Sequence, residues 1–221
     1  FENRKDTVVF DEPFYAHYLS VTELNHPGRD QILDFQSTNW DEVVKKCRNT
    51  SFQKESLCYQ KHMAQHNLQG FDISWIKDVQ NCILIRDPKY VIASYGKKLP
   101  IQDERHLGYI QQADIIEFLE KENGITPPII DADDILKNPE SMMKRLCKAL
   151  DIIFYPSMLQ WPSGTRSSDG VWGVYWYERV YDSTGFKPYT KKEVNVDQKL
   201  ANVYEKCKKH YDTFYNKRIK L

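Results

Sequence analysis

The sequence predicts an α/β fold, three-layer, with a mostly parallel central sheet and helices on both faces. Four short stretches rich in apolar and β-branched residues recur along it: Thr7 to Phe10, Leu57 to Gln60, Asn81 to Ile85 and Pro128 to Ile130. Each is followed within a few residues by a helix-like pattern, and strands that alternate with helices pair in parallel because the crossover returns the chain to the same end of the sheet. With 221 residues, 41% of them hydrophobic, the chain can bury one sizeable core and needs only one. Residues 1–221 are therefore read as a single domain.

Taken in order, Thr7 to Phe10 is the first strand, and Asp11 is placed to cap a short helix through Pro13 to Leu19. The third strand runs into Arg86-Asp87-Pro88, where proline opens the next helix. Arg105 to Glu122 carries Leu107, Ile110, Ile115, Phe118 and Leu119 close to helical spacing and ends at Asn123-Gly124. After the fourth strand, Asn138-Pro139 reads as an N-cap with proline at the first helical position, leading into Glu140 to Leu150. Residues 155–192 are irregular and aromatic, with Trp161, Trp172, Tyr175, Trp176 and Tyr177, which predicts a folded cover rather than a linker. Val196 to Lys217 repeats apolar residues at Leu200, Val203, Tyr204, Cys207 and Tyr211, with lysines crowding the later turns, and is the expected C-terminal helix.

Composition excludes several functions. Lysine plus arginine (31) balance aspartate plus glutamate (31), so no global basic field exists to hold nucleic acid or an anionic membrane. Any anion must be held locally. Five cysteines without a C-x-x-C pair argue against a disulfide framework or a zinc site and point to a reducing, cytoplasmic setting. No run approaches a membrane span, and no signal-peptide pattern is present. The chain opens on Phe1 and reaches strand-like residues almost at once, which reads as an N-terminally truncated domain and makes the cytoplasmic expectation conditional. The Asn49-Thr50-Ser51 sequon is too short a motif to count either way.

Ligands of open parallel sheets bind beyond the carboxyl ends of the strands. Those ends are polar here: Asp11-Glu12, Lys61-His62, Arg86-Asp87 and Asp131. The third is the most specific, with Arg86 at the strand exit and Ser94 about two helical turns on. A guanidinium grips phosphate oxygens in a planar fork, and a hydroxyl adds a neutral donor. The competing reading pairs Arg86 with Asp87 or Asp131 and leaves Ser94 on a solvated face.

This Arg86–Ser94 segment resembles the 3′-phosphate motif of the P-loop-type sulfotransferases, in which an arginine ends a strand and a serine follows eight positions later. Asp11 to Leu19 resembles the segment after the second strand of a soluble sulfotransferase-like family, where a carboxylate before proline approaches the acceptor. Lys61-His62-Met63 is similar to the lysine, spacer and histidine of small-molecule sulfotransferases, with the spacer missing. Gly170-Val171-Trp172 and Ser183-Thr184-Gly185-Phe186 extend the likeness over most of the chain. The family's glycine-rich phosphate loop is absent. The expectation is that strand and loop lie upstream of residue 1 and that Phe1 to Arg4 is the tail of the helix after them, in which case this chain alone binds the donor poorly.

The resemblance implies a P-loop NTPase-like fold and sulfuryl transfer from 3′-phosphoadenosine 5′-phosphosulfate (PAPS) to a hydroxyl or amine of a small-molecule acceptor, without a metal. Such transfer needs in-line geometry, a base and cationic stabilisation. His62 is the favoured base, because an imidazole takes a proton near neutral pH without large tuning, and Glu12 competes if a dry pocket raises its pKa. Arg86 and Ser94 hold the 3′-phosphate, Arg166 adds a contact, Lys61 or Lys89 screens anionic charge, and Trp172 or Trp176 stacks on adenine or walls off the acceptor. His62 and His66 share an i, i+4 spacing, yet Met63, Ala64 and Gln65 supply no glutamate between them for a metal site. A nucleotide-binding kinase or NTPase of related architecture, and a non-catalytic binding domain, are the alternatives.

Overall fold

The structure is a computed structural model and describes residues 1–48 and 57–220; the Asn49-Thr50-Ser51 sequon lies outside them. The chain groups into two compact units, one of Phe1–Trp75 with Tyr155–Phe186, the other of Ile76–Phe154 with Lys187–Leu221. Among the described residues no helix is long and apolar enough to cross a membrane.

In the first unit, strand β1 (Thr7–Asp11) pairs in parallel with β2 (Leu57–Lys61), with Asp11 opposite Lys61 at the carboxyl ends. Helices α1 (Tyr15–Thr22), α2 (Arg29–Phe35) and α3 (Trp40–Arg48) make the connection. Tyr15, Leu19, Ile32 and the fully buried Trp172 share one apolar cluster, so α1 turns its aromatic face inward. Asp11 does not cap α1. The cap position is Phe14, without a side-chain bond, because Asp11 is the last residue of the strand and its carboxylate is taken up elsewhere. Phe1 to Asp6 form turns, with the Arg4 N–H donating to the Phe1 carbonyl at 2.9 Å, rather than the tail of a helix. The aromatic segment is folded, as its composition predicts, and carries two short helices, α8 (Gly173–Trp176) and α9 (Glu178–Tyr181).

The second unit repeats the parallel pairing with β3 (Ile83–Ile85) and β4 (Ile129–Asp131). Among the described residues the four strands thus form two two-stranded sheets. Asp87 caps α4 (Pro88–Tyr95) by accepting from the Lys89 N–H at 3.0 Å, with Pro88 in the first turn. The helix expected from Arg105 is broken. A 3-10 turn, Glu104–Leu107, gives way at Gly108, whose φ of 79° suits glycine, and α5 (Tyr109–Asn123) starts anew. Asp131 caps α6 (Ala132–Lys137), and Asn138 caps α7 (Pro139–Ala149), as read from sequence. Helix α10 (Ala201–Lys217) buries Val203, Cys207, Tyr211 and Phe214 against Ile83, Ile85 and Ile129, which fixes the sheet that carries Arg86.

Candidate functional site

In the first unit the parallel register aligns the polar strand exits, and the chemistry concentrates there. Glu12 follows β1 with φ 43°, a left-handed conformation that costs a non-glycine residue energy and persists only where its surroundings over-determine it. They do so here: its N–H donates to the Lys61 carbonyl at 2.8 Å, while its own carbonyl accepts from the Tyr15 N–H at 3.1 Å and from Gln36 Nε2 at 3.2 Å. The carboxylate is thereby turned inward.

That carboxylate meets Lys61 Nζ in a short ion pair and accepts from the Tyr177 hydroxyl at 3.0 Å, with His66 Nε2 4.0 Å away. Asp11 stands beside it. Its oxygens accept from Trp172 Nε1 at 2.9 Å and from Tyr177 at 2.8–2.9 Å, with Lys61 Nζ at 3.5 Å. The Asp11 and Glu12 side chains are 8% and 9% exposed, so two nearly buried carboxylates share one ammonium. Desolvation raises the pKa of Glu12, opposed by the Lys61 charge and assisted by Asp11. Burial works against the Lys61 ammonium, but Glu12 and Asp11 outweigh it and raise its pKa.

His62 is exposed and packs beside the Phe14 and Trp75 rings at centroid distances of 5.7 and 5.8 Å, with Nε2 3.1 Å from Gln60 Oε1. Desolvation, then the Lys61 ammonium, lowers its pKa to about 4, tempered by that exposure. His66 is buried and stacked between Tyr15 and Tyr18 at ring distances of 4.9 and 4.7 Å, and burial holds its pKa well below the ordinary imidazole value. Burial and the nearby ammonium work against the charged form of both rings.

The other residues expected in this unit have different employments. Lys61 is spent on Glu12 and Asp11. Arg166 Nε pairs with Glu2 at 2.9 Å, so its charge is neutralised locally. Trp172 is fully buried, which leaves no ring face on which a base could stack; its indole N–H serves Asp11 instead. The sequence reading missed Tyr177 as a polar group, counting it only among the aromatics, and assigned Asp11 to a cap.

The second unit holds Arg86 and Ser94, both exposed. The Arg86 guanidinium lies over the Tyr90 ring at 5.4 Å and makes no ion pair among the described residues. Both carboxylates that would neutralise it are engaged. Asp87 caps α4 and pairs with Lys89 Nζ at 3.2 Å; Asp131 caps α6 and accepts from the Tyr211 hydroxyl at 3.0 Å. Tyr109 donates to the Arg86 carbonyl at 2.6 Å and fixes the backbone from which the cation projects. Among the described residues no three metal-ligating side chains gather.

Comparison with known proteins identifies the class: the family described as a sulfotransferase domain matches residues 1–207, and the chain belongs to that family. Among curated proteins it is similar to branched-chain-amino-acid aminotransferase-like protein 1 of Arabidopsis thaliana, 37% identical over 186 residues, covering 84% of this chain and 33% of that protein. It is also similar to branched-chain-amino-acid aminotransferase-like protein 2 of the same plant, 32% identical over 208 residues, covering 94% of this chain and 36% of that protein. The chain thus spans about a third of the length of these relatives. Among solved structures, the sulfotransferase domain from the curacin biosynthetic pathway aligns with a TM-score of 0.40 at 16% identity, over 93% of this chain and 72% of that one. The sulfotransferase domain from the Synechococcus PCC 7002 olefin synthase aligns with a TM-score of 0.45 at 10% identity, over 90% and 94%.

Proposed function

We propose that this domain, within its full-length protein, transfers a sulfuryl group from PAPS to a hydroxyl or amine of a small-molecule acceptor. The observation that carries this reading is the uncompensated Arg86 guanidinium, exposed while Asp87 and Asp131 are both committed to helix caps and other partners. Arg86 binds the 3′-phosphate of the donor through charge-assisted hydrogen bonds, and Ser94 adds its hydroxyl.

On the acceptor side Glu12 takes the proton. Burial moves the Glu12 pKa up from the ordinary carboxylate value and the His62 pKa down from the ordinary imidazole value, and a base works best near the operating pH. Charge also favours it, because two carboxylates against one ammonium are one proton short of neutral. When Glu12 is protonated, Asp11 keeps Lys61 compensated. The bond from the acceptor oxygen or nitrogen to sulfur forms as the bond from sulfur to the donor phosphate oxygen breaks, leaving adenosine 3′,5′-bisphosphate. His62, exposed beside the exit of β2, orients the acceptor.

Calorimetry of the full-length protein with adenosine 3′,5′-bisphosphate, AMP and ADP tests the donor assignment. The bisphosphate is expected to bind tightest, and Arg86→Met to weaken it about 10- to 100-fold, the equivalent of a charged hydrogen bond. Equal binding of ADP, or no effect of the substitution, would overturn it. Glu12→Gln and His62→Ala, compared by single-turnover transfer, test the base: Glu12→Gln should abolish the chemical step, and an unslowed Glu12→Gln would sink the role given to Glu12.

A further inference from the structure

The aromatic segment between Tyr155 and Phe186 delivers a hydroxyl to the carboxylate pair. Tyr177 OH lies 2.9 Å from Lys61 Nζ and 3.2 Å from Trp172 Nε1, both of them donors. It also lies 2.8–2.9 Å from the Asp11 oxygens and 3.0 Å from Glu12 Oε1, both acceptors. A phenol has one proton to give and two lone pairs to fill. With two N–H groups directed at the lone pairs, that one proton is shared by the carboxylate pair, between Asp11 at 2.8–2.9 Å and Glu12 at 3.0 Å.

We propose that Tyr177 is a positioning residue: its hydroxyl fixes the Glu12 carboxylate and governs how readily it takes a proton. This rests on the reading that Glu12 is the acceptor-side base. The segment around Tyr177 is shaped to seat it. A Cβ on Gly173 would stand 2.2 Å from the Tyr181 hydroxyl oxygen and 3.3 Å from Tyr177 Cδ2, so glycine lets both tyrosines pack closely on this helix. A Cβ on Gly170 would stand 2.1 Å from the Trp172 ring, whose N–H bridges Asp11 and the Tyr177 oxygen. Gly170, Trp172, Gly173 and Tyr177 thus act as one unit that places two donors on the ends of β1.

The charged and titratable groups around Glu12 are Asp11 on its own strand, Lys61 on β2, His66 in the turn after β2, and Tyr177 between α8 and α9. Asp11 disfavours a second negative charge, and Lys61 favours it. Burial works against a charged His66, so Tyr177 is the hydrogen-bond donor besides Lys61 that stabilises the ionised form.

Carbon-13 NMR titration of the Glu12 carboxyl reads this directly and needs no turnover. Tyr177→Phe removes the donor, and the Glu12 midpoint should rise by about one pH unit. The acid limb of kcat/KM should rise with it. Installing 3-fluorotyrosine at position 177 keeps the shape and sharpens the donor, and the midpoint should fall. It also serves if the phenylalanine variant does not fold. A midpoint unmoved in every folded variant would overturn the proposal. Midpoints that shift in a protein that transfers no sulfuryl group would uphold the positioning role while refuting Glu12 as a sulfuryl-transfer base.

Discussion

Lys61→Met removes the ammonium that faces Asp11 and Glu12 and keeps most of the apolar stem, so the change is mainly electrostatic. Taking one partner from a buried ion pair costs roughly 3–5 kcal/mol, because the remaining charge stays buried without compensation. The Lys61 side chain is 35% exposed, and water reaching it reduces the expected loss to about 2–4 kcal/mol near neutral pH. The pH dependence has a definite sign. Burial raises the folded-state pKa of Glu12 above its ordinary value, so the folded protein holds that proton more tightly than the unfolded chain. Stability therefore falls as pH rises from the unfolded pKa through the folded one. Without Lys61 the folded pKa climbs further, and the window of falling stability extends upward. The variant should lose more stability at about pH 8 than at about pH 5. Urea unfolding followed by tryptophan fluorescence measures both. Equal losses at the two pH values, or a loss under about 1 kcal/mol at the higher one, would refute the claim that Lys61 compensates buried carboxylates.

Trp172→Phe removes an indole N–H from Asp11 and leaves a void in a fully buried position; a loss of about 2–4 kcal/mol in urea unfolding is expected. Asn138→Ala deletes the side-chain oxygen that accepts from the Ser141 N–H at 3.3 Å, so a loss of about 1 kcal/mol should appear by the same measurement. Ser94→Ala should weaken adenosine 3′,5′-bisphosphate about 3- to 10-fold by calorimetry, the scale of a neutral hydrogen bond, with AMP affinity unchanged.

What was legible in the sequence was local. Asn138-Pro139 and Asp87-Pro88 announce helix starts within two residues, and the repeat through Val203, Cys207 and Tyr211 declares the buried face of α10. Strand exits could be read as polar, which brought Glu12, Lys61, His62 and Arg86 forward. Pairings between distant residues could not be read. Tyr177 meets Asp11 across 166 positions, and nothing in its neighbourhood distinguishes it from Tyr175, whose hydroxyl reaches Gln31 instead. The left-handed backbone at Glu12 is equally silent, since a glutamate advertises no positive φ. The break at Gly108 did have a signal, a glycine inside a helical repeat, which the apolar spacing around it overrode.

Charge accounting unites the two halves of the functional reading. A fold selected for stability alone has no reason to leave Arg86 without an ion pair among the described residues, beside Asp87, while that carboxylate caps a helix and holds Lys89. Nor has it reason to bury two carboxylates against one ammonium, when a single substitution to an amide would remove the excess. The first imbalance is a cation in want of an anion, and the second is a base in want of a proton. The proposed sulfuryl transfer would meet both needs, with an anionic donor and an acceptor proton to be removed. On that proposal, neutralising either charge should cost the reaction more than it costs the fold.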